Sequence, residues 1–250
     1  MVTPEITSTA NPRVKAWRAL RDRSERDRTR TFVVEGLRET VRAAATLSVE
    51  ATILTPERAD LDLPAPIVVS HAVFEALSVR RKPDGVAAIV RTPDHSLERF
   101  PSDADLVLVA DGVQKPGNIG AMLRTADAMG AGFIGASLAT DLVNPNVVRS
   151  AQGSLFTTPI AIGARADVIA WCAGRFAVVV ATPDATELLW DVDMAGPTAI
   201  VVGSEHDGVD AAWLPAGRAA RIPTTGVADS LNVSVAGALF LVEARRQRAA

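Results

Sequence analysis

Short apolar runs alternate with amphipathic stretches along most of the chain. Between residues 31 and 90, the runs Phe32 to Val34, Ala51 to Leu54, Ile67 to Val69 and Val86 to Val90 have the length of strands. Segments of helical period near Leu37 to Ala45 and Ala72 to Leu77 separate them, so the pattern predicts a small α/β unit. A polar stretch from Arg91 to Asp105, with Pro93 and Pro101, breaks the pattern and reads as a linker. Beyond it, Leu106 to Ala110, Gly132 to Gly135, Phe176 to Ala181 and Thr198 to Val202 are almost continuously apolar, as strands buried on both faces of a parallel sheet are. The last predicted element is a helix from about Leu231, with Leu231, Val235, Ala238, Leu239 and Val242 at helical spacing before the basic tail Arg245, Arg246 and Arg248. Two domains are expected, residues 1–95 and 105–250, joined by 96–104.

With 250 residues, 48% of them apolar and 22% charged, the chain can bury one large core or two modest ones. No apolar run reaches the roughly 18 residues that span a bilayer, and MVTPEITSTANPRVK at the N-terminus lacks the apolar segment of a signal peptide. These features predict a cytoplasmic protein with no membrane association. The single cysteine, Cys172, has no disulfide partner and is expected as a small buried residue. His71, His95 and His206 share no ligand spacing, so no metal is expected.

The net charge of −3 conceals an uneven distribution. From Arg13 to Arg30 eight basic residues, among them Arg13, Lys15 and Arg18, stand against three acidic ones. Such a patch can meet a phosphate backbone. The interleaved signs fit a solvated, ion-paired helix as well. A second cluster, Arg80, Arg81 and Lys82, precedes Pro83 and reads either as an RNA contact or as an ordinary exposed turn.

Ligands of open parallel sheets bind beyond the carboxyl ends of the strands, so the segments following the apolar runs are the ones to search. The first runs from Asp111 to Gly130 and contains Asn118 and Arg124. Ile119, Met122, Leu123 and Ala126 form an apolar stripe from which Arg124 projects away, either into solvent or toward a ligand. The second is Val201 to Gly208, a strand entering a glycine-bracketed turn with Gly203 and Glu205. The third is Ile222 to Ala236, with Ser230 placed to cap the terminal helix. Neither GxGxxG nor a phosphate-binding GxxxxGK[ST] occurs, which disfavours nicotinamide and nucleoside triphosphate sites.

These three segments, NxGxxxRTAxxxG at Asn118 to Gly130, VVGSEhxG at Val201 to Gly208 and IPxxGxxxSLNVSVA at Ile222 to Ala236, resemble the ordered motifs of the SpoU (TrmH) family of RNA 2′-O-methyltransferases in the SPOUT superfamily. Asn144 to Phe156 is similar to the family's stretch between the first two motifs. Asn11 to Lys15 and Phe32 to Gly36 resemble its N-terminal substrate-binding domain. The resemblance implies a parallel-sheet catalytic domain ending in a trefoil knot, preceded by a small α/β domain with a ribosomal-protein-like RNA-binding fold. It implies S-adenosylmethionine as methyl donor, bound in a bent form near Thr182, Gly203, Ile222 and Leu231. It places Asn118, Arg124, Glu205, Ser230 and Asn232 at the active site, with Arg149 as a phosphate contact. Thr224 and Thr225 stand where the family often carries an apolar residue. Structured RNA, ribosomal RNA in particular, is the implied substrate and a homodimer the implied assembly. The alternative is an RNA-binding protein of the same fold that has lost catalysis.

The reaction asks for a deprotonated ribose hydroxyl, and a neutral alcohol is a poor nucleophile. The family proposal gives the base role to Arg124, although a guanidinium holds its proton. A physical reading favours Arg124 as the group that grips a phosphate and stabilises the developing alkoxide, with Glu205 as the rival proton acceptor. Asn118 and Asn232 are read as orienting amides.

Overall fold

A computed structural model describes residues 3–227 and 230–249. Ala228 and Asp229 of the third motif lie outside the described residues. The chain forms two compact units, Met1–Pro93 with Asp141–Thr157, and Asp94–Thr140 with Thr158–Ala250.

The first unit contains helices α1 (Pro12–Ala19), α2 (Arg23–Thr29), α3 (Leu37–Thr46) and α4 (His71–Leu77) and strands β1 (Thr31–Glu35), β2 (Val49–Leu54), β3 (Pro66–Val68) and β4 (Val86–Arg91). The strand order is β1-β4-β2-β3, with β4 antiparallel to both neighbours and β3 parallel to β2. Alternation along the strands divides the apolar side chains. Ala51, Ile53, Ala87 and Ile89 face Val14, Trp17, Val73 and Phe74 of the helices. Phe32 stacks on Phe156, with ring centroids 6.4 Å apart. Asn11 starts α1 by accepting from the Arg13 amide at 2.9 Å, and Pro12 supplies the first-turn φ. The same Asn-Pro device, Asn144 and Pro145, starts α6 (Pro145–Ala151) in the segment 141–157.

The second unit follows β5 (Leu106–Asp111), α5 (Pro116–Ala128), β6 (Gly132–Ala136), then, past α6 (Pro145–Ala151) of the first unit, β7 (Ile160–Gly163), α7 (Arg165–Cys172), β8 (Ala177–Ala181), β9 (Thr198–Val202), β10 (Arg218–Ala220) and α8 (Val233–Arg248). Its six strands are all parallel, in the order β10-β8-β9-β5-β6-β7. From β5 the order runs to β6 and β7 on one side and to β9, β8 and β10 on the other. The β5–β9 boundary is therefore a topological switch point. One face of the sheet buries Val107, Val109, Ile134, Val178 and Val201 with Val168 and Cys172 of α7. Burial pushes the Cys172 thiol up to about 12, so it is an inert packing residue. On the other face α8 lies close because Gly237 has no side chain. A Cβ there would meet Leu108 at 3.3 Å.

Four features differ from the pattern read along the chain. The polar stretch between the units contains a 3-10 turn (Leu97–Arg99), and Phe100 is only 6% exposed, packed edge-on to Trp171 at 5.4 Å. The stretch 96–104, expected as a linker, thus belongs to the second unit, where Gly132 leaves room for the Phe100 ring. Segment 141–157, expected within the second domain, packs with the first unit, α6 lying against β1. The terminal helix begins at Val233, not Leu231. Its cap is Asn232, which accepts from the Ser234 amide at 2.9 Å, rather than Ser230. The edge strands β7 and β10 escaped the hydrophobic pattern because they are short and partly exposed.

Segment 141–157 is anchored by a buried ion pair. The Arg26 side chain, 2% exposed, donates to Asp141 at 2.7 Å and to the carbonyls of Leu20 and Arg21 at 2.9 and 2.7 Å. Removing one member of such a pair strands the other charge out of water. Asp141→Ala is expected to destabilise the chain by about 3 kcal/mol or more in a denaturant melt. A change within about 0.5 kcal/mol, the range of ordinary surface substitutions, would show that the pair is dispensable.

Candidate active site

The carboxyl ends of β8, β9 and β10 open into a cavity of about 570 Å3. That lies inside the range of about 300–1,000 Å3 usual for small-molecule and cofactor sites. Thr182 follows β8, Gly203 follows β9 and Ile222 follows β10. Leu231 and Asn232 approach from the lead-in to α8, and Phe240 closes the apolar side with Val202 and Ala220. Thr182, Gly203, Ile222 and Leu231 all line this cavity, as do Glu205, Ser230, Asn232 and Thr224. Gly203 is required by the turn itself, since a Cβ there would sit 1.9 Å from the Gly208 backbone carbon as the turn doubles back. Ser204 and Gly208 exchange backbone hydrogen bonds at 2.9 and 3.2 Å across that turn.

Glu205 sits in the turn and reaches to the neighbouring loop after β5. Its carboxylate accepts from the amides of Gln114 at 3.2 Å and Lys115 at 3.1 Å, and from Asn118 Nδ2 at 2.6 Å. A carboxylate can only accept here, so the Asn118 NH2 must face it and the Asn118 carbonyl oxygen must face away. That oxygen accepts from Asn232 Nδ2 at 3.1 Å, while Asn232 Oδ1 accepts from the amide and hydroxyl of Ser234. The three side chains form one directed chain of hydrogen bonds with every amide orientation fixed by the next. Partial burial pushes the Glu205 carboxyl up. Hydrogen bonds from its own backbone, Asn118, Gln114 and Lys115 outweigh that and hold it below its ordinary value. So depressed, Glu205 is a poor acceptor for an alcohol proton.

Arg124 is not among the cavity residues. It lies on α5 six residues beyond Asn118, about 9 Å along the axis and on a different face. Ile119, Met122, Leu123 and Ala126 are buried, whereas Arg124 is exposed and has no hydrogen bond or ion pair with any described residue. Its cost is small and its donors are free. Asp184, Asp207 and Arg221 also line the cavity and were not singled out in the sequence, because loop positions carry no periodic signal; His206, read only as an exposed neighbour, lines it too.

The candidate RNA contacts divide by how far folding already uses them. Arg80 is engaged within its own unit, donating to the Glu35 carbonyl and pairing with Glu39 at 3.4 Å. Arg81 and Lys82 are exposed in the loop that follows. Arg13, Lys15 and Arg18 are exposed on α1, with Arg13 over the Trp17 ring at 5.1 Å. Arg149 is exposed at the end of α6 and bonds to Asn146 at 3.3 Å.

The model of the SpoU rRNA Methylase family matches residues 105–242. The chain belongs to that family. A model of the MRM3-like substrate binding domain matches residues 11–88. Among curated relatives of this SpoU protein, the 23S rRNA (guanosine(2553)-2′-O)-methyltransferase RlmP of Bacillus subtilis is 33% identical, over 96% of this chain and 99% of its own length. The 23S rRNA (uridine(2479)-2′-O)-methyltransferase of Streptomyces viridochromogenes is 32% identical, over 97% and 92%. The crystal structure of the AdoMet-bound rRNA methyltransferase from Sinorhizobium meliloti superposes with a TM-score of 0.89 at 31% identity, covering 96% of this chain and 97% of that one.

The depressed Glu205 carboxyl has a consequence for pH. A group whose acidity is enhanced by folding contributes stability above its unfolded value, about 4.5, and loses that contribution as pH falls through the folded value. Glu205→Gln puts an NH2 group among donors, so the variant should melt lower than wild type at neutral pH. The difference should shrink as pH drops below about 4.5 in a series of thermal melts. A difference independent of pH would contradict the charged-acceptor role.

Proposed function

We propose that this SpoU-family chain methylates a ribose 2′-hydroxyl of ribosomal RNA at the cavity beyond β8, β9 and β10, with the Asn118–Glu205–Asn232 chain of hydrogen bonds as the rigid part of the active site. The observation that carries the reading is that chain of bonds, which joins residues from all three sequence motifs beside one cavity of cofactor size. When bound, S-adenosylmethionine supplies an electrophilic methyl group on a sulfonium. Thr182, Gly203, Ile222 and Leu231 line the space for it, with Phe240 and Val202 offering apolar surface to its less polar parts.

Glu205 acts as an organiser: already accepting from three donors and held below its ordinary pKa, it keeps the loop after β5 in place rather than removing the proton. Asn118 and Asn232 orient the site, and Ser230 lies exposed at the cavity edge where a hydroxyl can meet the RNA backbone. Arg124 offers an uncommitted guanidinium fork that holds a phosphate beside the target ribose and stabilises the developing alkoxide. The proton leaves to that phosphate or to water. The C-terminal segment is tucked through a loop as a trefoil knot, and residues 105–250 act as the catalytic domain while 1–95 supply RNA affinity. No described helix is long and apolar enough to cross a membrane, and the enzyme works in the cytoplasm, where ribosomal RNA is. Val235, Leu239 and Val242 on α8, together with Leu231, form an exposed apolar stripe, and the chain pairs with a second copy through it.

The role of Arg124 is tested by single-turnover methyl transfer to 23S ribosomal RNA at saturating RNA and donor. Arg124→Ala and Arg124→Lys should bind donor normally in a calorimetric titration and melt like wild type. Turnover should fall by roughly a hundredfold, the scale of a lost electrostatic catalytic group. Near-normal turnover in Arg124→Ala would remove the assigned role.

RNA affinity has a separate test in the free cations of α1. Changing Arg13, Lys15 and Arg18 together to Gln should weaken RNA binding. It should also make the slope of log affinity against log salt shallower by about 2 to 3, with donor binding untouched. An unchanged slope would make this helix face a solvated one only.

A further inference from the structure

The two loops that carry the site are tied together twice. The first tie is Glu205, which leaves the loop after β9 to accept from two amides of the loop after β5. The second is at the roots of the same loops. Asp111, the last residue of β5 and 1% exposed, leaves the first loop to accept from the Asp210 amide at 3.0 Å, where the second loop ends. Its other oxygen accepts from Arg165 Nε at 2.7 Å, and Arg165 also pairs with the Asp210 carboxylate at 2.9 Å. Arg165 opens α7, and its own amide donates at 2.9 Å to Ser137, which follows β6. One guanidinium therefore joins the ends of β5 and the β9 loop, with its backbone held at the end of β6. Asp111, Arg165 and Asp210 do not line the cavity.

We propose that Arg165 is a positioning residue for methyl transfer: by spanning Asp111 and Asp210 it fixes the spacing of the loops 111–118 and 203–210, and so the placement of Asn118, Glu205 and Asn232. The inference rests on the site reading above. Only a planar fork meets two carboxylates in this way, whereas an ammonium is a point charge. The side chains of Arg165 and Asp210 are 32% and 41% exposed, so that arm of the cluster adds little net stability. What it supplies is geometry between two loops that the sheet ladder does not join.

The test compares wild type, Arg165→Lys, Arg165→Met and the double variant Arg165→Met with Asp111→Asn. Each is measured by thermal melt, calorimetric titration with S-adenosylmethionine and single-turnover methyl transfer to unmodified 23S ribosomal RNA. Arg165→Met leaves the Asp111 carboxylate buried without a cation, so it should melt lower. It should also transfer methyl more slowly by about tenfold or more, the kind of loss a small misplacement causes. In the double variant the Asn amide still accepts from Asp210 without needing a cation. Its melting temperature should recover while its rate stays low. Arg165→Lys, which keeps the charge and folds even if the Met variants do not, should also be slow at a near-normal melting temperature. Combining Arg165→Met with Glu205→Gln should be no slower than Glu205→Gln alone, because both act on the same placement. A rate that recovers along with stability, a full-rate Arg165→Lys, or multiplicative losses in the combination would each overturn the inference. A wild-type chain that fails to bind the donor would instead overturn the cavity assignment on which it rests.

Discussion

Parallel strands bring their carboxyl-terminal loops side by side, but the ladder that joins the strands stops where the loops begin. At the β5–β9 switch point the loops are tied at their roots through Asp111, Arg165 and Asp210, and at the site by the Glu205 carboxylate. It gathers two backbone amides and the Asn118 side chain from the facing loop. Through Asn118 the same constraint reaches Asn232, and Asn232 is the N-cap of α8. One carboxylate thus links a loop, a turn and the start of the terminal helix into a single hydrogen-bonded body. The donors it satisfies are also the reason it stays charged. Its charge and the geometry of its neighbours maintain each other.

The cavity beside that body exists because of where side chains are missing. Gly203 lets the turn fold back on Gly208 and leaves backbone, rather than a side chain, facing the opening. Gly237 lets α8 settle on Leu108 and Val202. One turn further along, Phe240 reaches the cavity wall. Close approach at one position of the helix and bulk three residues later give the space a tight apolar side. Glu205, Ser230 and Asn232 add polar groups to the lining. Such a mixed lining suits a ligand with one polar and one apolar end.

Charge in the first unit is divided between cations that folding uses and cations it leaves exposed. The basic excess between Arg13 and Arg30 is smaller in space than in sequence. Arg26 is buried on Asp141, Arg21 caps the carbonyls at the end of α4, and Arg28 pairs with Glu25. The ion-paired reading of the stretch therefore holds for part of it only. α2 is the ion-paired helix, and α1 keeps cations without acidic partners among the described residues. Arg80 follows the same rule, being held by Glu35 and Glu39 while Arg81 and Lys82 remain exposed.

The sequence by itself determined what depends on neighbours in the chain. The buried strands β5, β6, β8 and β9 were legible because a strand covered on both faces must be apolar at nearly every position. The small first unit was legible for the complementary reason that its helices and strands have different periods. The family motifs also lay in order, so Thr182, Gly203, Glu205, Ile222, Ser230, Leu231 and Asn232, which line the cavity, could be named from the sequence. Hydrogen bonds and ion pairs between distant residues were decided by the tertiary structure alone. Asp111, Arg165 and Asp210 are spread over a hundred residues of chain, and nothing local marks Arg165 as a bridge. Asn232 rather than Ser230 became the cap because the Asn118 amide holds it there, and Phe100 in a polar stretch became core because Gly132 left it room. Periodicity records which way a side chain faces along its own element. Which partner it meets depends on how elements far apart in sequence are brought together, and no single stretch of chain encodes that.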